Sequence, residues 1–157
     1  MGLIKCELWL PTNETITTDL DSEHYLLPNF RVWELANNKA KEELKLVIPS
    51  RWAWLELKML QITRDRFGRI DVNSYYRTPS YNASVGGDPK SCHLIGEATD
   101  IARLTNVTND TMIDWWERLC REFGQIGAIG LYSWGWHLEI GSDRRFGATG
   151  FQVRDYR

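Results

Sequence analysis

The sequence predicts an α+β fold in which a small antiparallel sheet packs with helices. Residues 51–67 and 111–123 carry apolar side chains at helical spacing. Four short apolar or alternating stretches predict strands: 3–10, 70–75, 126–132 and 136–140. The length of 157 residues favours one hydrophobic core, so residues 1–157 are expected to form a single domain.

The first quarter of the chain opens with the imperfectly alternating strand 3–10. Pro11–Ser22 is polar and rich in Thr and Asp, which predicts a loop. Residues 27–35 fit either an edge segment or the start of a helix, and Ala36–Lys45 contains good helix formers with weak amphipathicity. The predicted order is β, α, α, β, loop, α, α, β, β.

The helix over 51–67 has the clearest boundaries, with Ser50 as its N-cap and Gly68 at its end. Four residues define its predicted apolar face: Trp52, Leu55, Met59 and Ile62. After the strand at 70–75, the Pro- and Gly-containing stretch Arg77–Lys90 predicts a long functional loop.

A short helix is predicted to begin near Gly96 or Ala98 and to end by Leu104. The helix over 111–123 then presents one apolar face and ends at Gly124. Six residues form that face: Met112, Ile113, Trp116, Leu119, Cys120 and Phe123. The tail, 146–157, is expected to add one more strand.

Composition excludes some classes of partner. The net charge is −2 with no basic block, which argues against nucleic acid as a partner. No apolar run approaches the length of a membrane span. The N-terminal segment lacks the pattern of a signal peptide, so we expect synthesis in a cytoplasm without export by a visible signal.

Chemistry-bearing residues concentrate in two short stretches. His93 and Asp100 lie seven positions apart, close to two helical turns, and would share a face even if that stretch were helical. His137 and Glu139 alternate on a strand and point to one side of it. Two histidines and one carboxylate are a ligand set for a catalytic zinc ion, although a core histidine and a capping aspartate would give the same pattern.

Three motifs strengthen the zinc interpretation. The first motif is Ser-x-His-x-x-Gly-x-Ala-x-Asp in residues 91–100. The second lies in residues 74–87 and consists of Tyr-Arg-Thr-Pro followed by Val-Gly-Gly. The third is Gly130-x-Tyr132, followed by Trp136-His137-Leu138-Glu139. Together they resemble the zinc D-Ala-D-Ala carboxypeptidase family, which also contains peptidoglycan endopeptidases. The resemblance covers about residues 30–140 and implies a hedgehog/D-Ala-D-Ala-peptidase-like fold with His93, Asp100 and His137 as Zn²⁺ ligands.

The resemblance also implies roles around the metal. Arg77 would act in catalysis by reaching into the cleft and holding a substrate carboxylate or carbonyl. Ser91 would hydrogen-bond the substrate or fix its loop. Trp136 would form a wall of the cleft, or belong to the core.

The general base departs from the family pattern. Many members carry an acid three positions before the last ligand, where this chain has Trp134, and related folds place a histidine where it has Gly135. Glu139 is the candidate base, with orientation of the ligand His137 as its alternative role. Cys92, next to a ligand, is expected to face away from the metal.

The resemblance therefore implies a zinc metallopeptidase that hydrolyses amide bonds in the peptide stems or cross-bridges of bacterial peptidoglycan. The expected setting is a bacteriophage, as an endolysin or as a virion-associated wall hydrolase with phage virion proteins as partners. Such an enzyme would be synthesised in the host cytoplasm and act in the periplasm or cell wall. The alternative is a catalytically impaired binding module of a phage particle, and a weaker option is a D,D-dipeptidase for soluble peptides.

Overall fold

The fold was determined as a computed structural model, which describes residues 2–36 and 44–157. Its α+β class confirms the prediction. The strands in chain order are β1 (Leu3–Trp9), β2 (Thr15–Asp21), β3 (Tyr25–Leu27), β4 (Phe30–Arg31), β5 (Lys45–Ile48), β6 (Val72–Ser74), β7 (Ala98–Ala102), β8 (Ala128–Tyr132), β9 (Gly135–Glu139) and β10 (Gln152–Asp155). The α-helices are α1 (Val32–Leu35), α2 (Arg51–Phe67), α3 (Pro79–Ser84), α4 (Asn109–Glu122) and α5 (Ser142–Phe146).

A five-stranded sheet in the order β10-β8-β9-β7-β6 carries the residues of interest. Its pairings are antiparallel except that of β10 with β8, which is parallel. The pairing register of β7 and β9 places Asp100 directly opposite His137. On the other side of β9, Gly130 of β8 lies opposite the same histidine. The register therefore brings together residues that lie far apart in the sequence.

A second sheet, in the order β2-β1-β5, corrects the prediction for the first part of the chain. Pro11–Ser22 was expected to be a loop, but Thr15–Asp21 forms a strand that pairs antiparallel with β1. The threonines that make this stretch polar are β-branched and suit a solvent-facing strand. Of the predicted helix Ala36–Lys45, residues 37–43 lie outside the described residues, while Lys45 begins β5.

The short helix predicted near Gly96 to Leu104 is wrong. Cys92–Ile95 forms a single 3₁₀ turn that ends at Gly96, and Ala98–Ala102 is strand β7. The alanines favour a helix locally, but β7 pairs with β6 on one side and β9 on the other. Tertiary pairing therefore overrides local propensity, and the helical spacing between His93 and Asp100 has no role.

Helix α2 matches its predicted boundaries, because Ser50 Oγ accepts a hydrogen bond from the Ala53 N–H and Gly68 closes the helix. Its buried face differs from the prediction: Met59 is buried, whereas Trp52, Leu55 and Ile62 are only partly buried. The fully buried positions are Ala53, Glu56, Leu57, Met59, Leu60 and Thr63. None of the described helices is long and apolar enough to cross a membrane.

Helix α4 confirms its prediction more closely. Met112, Trp116, Leu119 and Cys120 are buried, and Gly124 has the positive φ of 65° expected after a helix. Two short helices were missed. Helix α3 lies within the predicted loop Arg77–Lys90, and α5 precedes the confirmed strand of the tail.

Helix α2 places one carboxylic acid, Glu56, entirely inside the core. Glu56 Oε1 accepts a hydrogen bond from Thr99 Oγ1 at 2.9 Å, and Oε2 has no hydrogen-bond partner among the described residues. Burial raises the pKa of Glu56 well above its usual value. The folded protein therefore holds a proton there that the unfolded chain releases.

Glu56→Gln is expected to stabilise the protein increasingly as pH rises above about 4.3, the usual glutamate pKa. In this range the wild-type folded state binds more protons than the unfolded state, so its stability falls with pH, by up to about 1.4 kcal/mol per pH unit. The introduced amide keeps an acceptor oxygen for Thr99 and does not titrate. Urea unfolding in chelator at pH 5 and pH 8 measures the change.

The control for this experiment is Glu122→Gln, a substitution of an exposed glutamate at the end of α4. It should leave the pH dependence of unfolding as it is in the wild type. Parallel stability curves for wild type and Glu56→Gln would mean that Glu56 is ionised in the folded protein.

Candidate metal centre

Three side chains from separate elements converge in the cleft beside the central sheet. His93 comes from the 3₁₀ turn, Asp100 from β7 and His137 from β9. Asp100 Oδ1 lies 2.7 Å from His137 Nδ1 and 3.1 Å from His93 Nε2. One potential ligand atom from each residue lies within 4.8 Å of the others, so the structure brings the three predicted ligands together.

The turn before β7 sets the position of His93. Gly96 adopts a φ of 70°, and a Cβ there would lie 2.7 Å from Tyr75 Oη and 3.1 Å from Ala53 Cβ. Only glycine fits this conformation and this close approach without strain. The Gly-x-Ala spacing in the motif thus lets the chain turn directly from the histidine into the strand that carries Asp100.

The orientation of the His93 ring fits a metal ligand. Its Nδ1 lies 2.7 Å from the Tyr75 carbonyl oxygen, which accepts a hydrogen bond only if Nδ1 carries the proton. In the neutral tautomer Nε2 then has a lone pair. This buried nitrogen faces Asp100 without hydrogen-bond geometry and has no other partner among the described residues. A lone pair and a carboxylate oxygen that face each other suit a bound cation.

The His137 ring is oriented by Glu139, on the side of the ring away from Asp100. Its Nε2 lies 2.8 Å from Glu139 Oε2, while Nδ1 faces Asp100. Burial lowers the pKa of His137, but the hydrogen bonds to Asp100 and Glu139 outweigh it and raise the pKa to about 9 in the metal-free protein. A bound metal would displace the proton from Nδ1, because only a deprotonated nitrogen can be a ligand.

Glu139, the candidate base, is buried and has both oxygens engaged. Oε1 accepts hydrogen bonds from Ser142 Oγ at 2.8 Å and from Arg154 at 3.1 Å, and Oε2 also contacts His137 and Arg154. Burial acts to raise the pKa of Glu139, yet His137 and Arg154 lower it to about 2. This carboxylate is therefore placed to orient a ligand histidine, which was the alternative to the base role.

Arg77 lines the cleft, but its guanidinium contacts the protein itself. Its terminal nitrogen donates to Asp100 Oδ2 at 2.7 Å, and its Nε donates to Ser74 Oγ at 2.9 Å. The ion pair occupies one oxygen of Asp100 and leaves Oδ1 to face both histidines. The predicted contact of Arg77 with a substrate stays a prediction.

Ser91 caps the 3₁₀ turn. Its Oγ accepts a hydrogen bond from the His93 N–H at 3.3 Å, and the residue also lines the cleft. The observed contact supports the role of Ser91 in fixing its loop.

Cys92 is buried, and burial raises the pKa of its thiol, which keeps the thiol protonated. Cys92 is not part of the ligand cluster.

Trp136 does not form a wall of the cleft. Side chains alternate along β9, so Trp136 points away from the side that His137 and Glu139 share and is 0% exposed. Its Nε1 donates to Asn109 Oδ1 at 2.9 Å, at the N-terminus of α4. The cleft wall on this side is formed by Trp134, in the turn between β8 and β9.

The residues at the usual base positions have different structural roles here. A Cβ on Gly135 would overlap the carbonyl oxygen of Ile101 on the adjacent strand, so no side chain fits at that position. Trp134 projects into the cleft and provides no acid–base group. Asp88, Asp100 and Glu139 are the carboxylates of the described residues that line the cleft.

Much of the cleft, whose volume is about 820 Å³, is lined by residues without a predicted role. They include Tyr132, Trp134, Phe146, Arg154 and Tyr156. Arg154 and Tyr156 reach the site because β10 pairs in parallel with β8, a long-range contact without a local sequence signal.

The comparison with protein families identifies the family of this chain. The family model described as Peptidase M15 matches residues 28–134, which is well over half of the chain and includes His93 and Asp100. The comparison with curated proteins finds no significant match. The peptidases of this family are zinc-dependent, and the chain contributes a His-Asp-His cluster that suits a metal ion. The chain belongs to the peptidase M15 family and is a zinc metallopeptidase.

Proposed function

We propose that this zinc peptidase hydrolyses amide bonds in the peptide stems or cross-bridges of bacterial peptidoglycan. The observation that carries the proposal is the convergence of His93, Asp100 and His137 in the cleft of a chain from a family that acts on peptidoglycan. The finer assignment, to a bacteriophage endolysin or virion-associated hydrolase with virion partners, rests on the motif resemblance, as does action in the host periplasm or wall.

The three residues of the cluster would hold the metal and leave one of its coordination positions for water or substrate. His93 would bind through Nε2, Asp100 through Oδ1 and His137 through Nδ1, because these are the atoms that face one another. A zinc ion bound there would act as a Lewis acid, which polarises the carbonyl of the substrate and lowers the pKa of a bound water molecule.

One backbone carbonyl and two side chains hold this arrangement. The Tyr75 carbonyl fixes the His93 ring, Arg77 fixes Asp100, and Glu139 fixes His137. Each ligand thus has a hydrogen-bond partner on the side away from the cluster, an arrangement that usually accompanies tight metal binding.

A catalytically impaired binding module is the second candidate. One specific observation favours it: Trp134 and Gly135 occupy the positions where related enzymes carry an acid or histidine, and neither provides a proton acceptor. The metal ligands of such a module would serve stability instead of catalysis.

Release of new amino groups from purified sacculi by the zinc-loaded protein distinguishes the two candidates. We expect release that depends on zinc and stops in chelator. No release from sacculi, with one zinc ion bound per chain, would favour the binding module. Hydrolysis of free D-Ala-D-Ala without attack on sacculi would instead indicate a soluble dipeptidase.

A further inference from the structure

Four exposed large hydrophobic side chains lie in the same cleft as the metal cluster. They are Val85, Trp134, Phe146 and Tyr156, and between 41% and 54% of each residue is exposed. Scattered apolar residues are ordinary on a protein surface, but a group of them in a functional cleft indicates a surface for a ligand.

Three aromatic rings in this part of the cleft form a stack. The ring of Tyr132 lies between two others, 4.6 Å from the Trp134 centroid and 4.9 Å from the Tyr156 centroid, with interplanar angles of 21° and 19°. We call these three residues the aromatic platform. Stacking covers the Tyr132 ring, so a ligand can reach the outer, electron-rich faces of Trp134 and Tyr156, the two exposed members of the stack.

Backbone contacts hold the platform in place. The Arg103 guanidinium donates to the carbonyl oxygens of Tyr132 at 2.7 Å and Ser133 at 3.4 Å, and the Arg103 N–H donates to the Trp134 carbonyl at 2.8 Å. The Tyr156 N–H donates to the Leu131 carbonyl at 2.9 Å. The rings are therefore positioned before a ligand arrives, which reduces the entropy cost of binding.

The platform adjoins the metal cluster. A Cβ on Gly130 would lie 3.1 Å from both His137 Cβ and the Tyr132 ring, and 3.4 Å from the Tyr156 ring. The absent side chain at Gly130 thus lets the rings approach the metal-ligand strand closely. A substrate bound at the metal would extend onto the platform.

The charges beside the platform argue against an anionic occupant. The two arginines that line this part of the cleft are engaged by carboxylates, Arg77 by Asp100 and Arg154 by Glu139. The aromatic faces favour a neutral group whose C–H bonds carry partial positive charge, and a pyranose ring presents such a face.

We propose that the aromatic platform binds a pyranose ring of the peptidoglycan glycan strand while the attached peptide is at the metal. This proposal rests on the proposed function, because it assumes a substrate in which sugar and peptide are joined. Stacking on the platform would lower the KM for glycosylated peptides and leave the chemical step unchanged.

The test compares two substrates, a disaccharide-linked stem peptide and the same peptide without sugars. Wild type should prefer the glycosylated substrate by about tenfold in kcat/KM, mostly through KM. Trp134→Leu and Tyr156→Ala should lose this preference with unchanged zinc content, because their kcat/KM should fall more on the glycosylated substrate than on the free peptide. Trp134→Phe keeps a ring and should retain much of the preference.

Tyr25→Ala is the matched control, because Tyr25 is exposed like Tyr156 but lies outside the cleft. It should behave as wild type. Equal use of the two substrates by the wild type, or equal losses on both in the platform variants, would overturn the proposal.

Direct binding separates this proposal from the proposed function. A neutral disaccharide of two linked N-acetylglucosamine units, added to zinc-free protein, should perturb tryptophan fluorescence in wild type but not in Trp134→Leu, while Tyr25→Ala should respond as wild type. This result would support the platform even if no peptide were cleaved. No saturable binding to the wild type would overturn the platform even if sacculi were digested.

Discussion

Replacing His93 with alanine is expected to abolish zinc binding. The wild type should hold about one zinc ion per chain, the stoichiometry of a three-ligand catalytic site. His93 provides the buried nitrogen whose lone pair faces Asp100, and the remaining ligands are Asp100 and His137. Elemental analysis after dialysis measures the zinc content. His24→Ala, which removes the exposed third histidine of the chain, is the control and should keep its zinc.

Loss of the metal should also lower the melting temperature. At a free zinc concentration of about a hundred times Kd, binding contributes about 2.7 kcal/mol, which corresponds to roughly 5–11 °C for a chain of this size. Chelator should produce this shift in wild type and in His24→Ala, but leave His93→Ala unchanged. Stoichiometric zinc in His93→Ala would show that the ligand set is wrong.

The three candidate metal ligands could be identified from the sequence because their chemistry is local. Only a few residue types bind zinc, and the motif gives both their identity and their order. The path that joins them was not accessible in the same way. Ala98 and Ala102 favour a helix, and nothing in residues 98–102 shows that β6 and β9 will pair on either side.

The residues near the cleft differ in how far their positions can be predicted from the sequence. Strand alternation, which placed Glu139 on the side of His137, also requires Trp136 to lie on the opposite side, so its burial follows from the sequence once β9 is assigned. Tyr156 is different, because it joins Tyr132 only through the parallel pairing of β10 with β8. Long-range pairing of this kind leaves no periodic signal in either segment.

Glu139→Gln is expected to weaken zinc affinity by about 10- to 100-fold, the usual effect of losing a carboxylate that orients a ligand histidine. Both Glu139 oxygens are already bonded, to His137, Ser142 and Arg154, so this carboxylate has little capacity left to accept a proton from water. We therefore expect kcat to recover largely when zinc is saturating. Zinc titrations monitored by peptide hydrolysis separate the two parameters.

The base role would give the opposite pattern. If Glu139 accepts the proton from water, Glu139→Gln should bind zinc as wild type does and lose kcat by about 10²- to 10⁴-fold at every zinc concentration. Asp88→Asn serves as the matched variant, because Asp88 is an exposed carboxylate in the same cleft. Its Oδ1 accepts a hydrogen bond from the Lys90 N–H, and asparagine can keep that contact.

Arg154→Gln also distinguishes the two roles of Glu139, because Arg154 contacts Glu139 and is not one of the three clustered residues. In the orienting role, Glu139 acts through its position, and losing Arg154 should weaken zinc binding in the same direction as Glu139→Gln but less strongly. In the base role, the loss would raise the pKa of Glu139 and change the pH profile of kcat without a change in zinc affinity. The two roles therefore predict changes in different measured quantities for the same pair of variants.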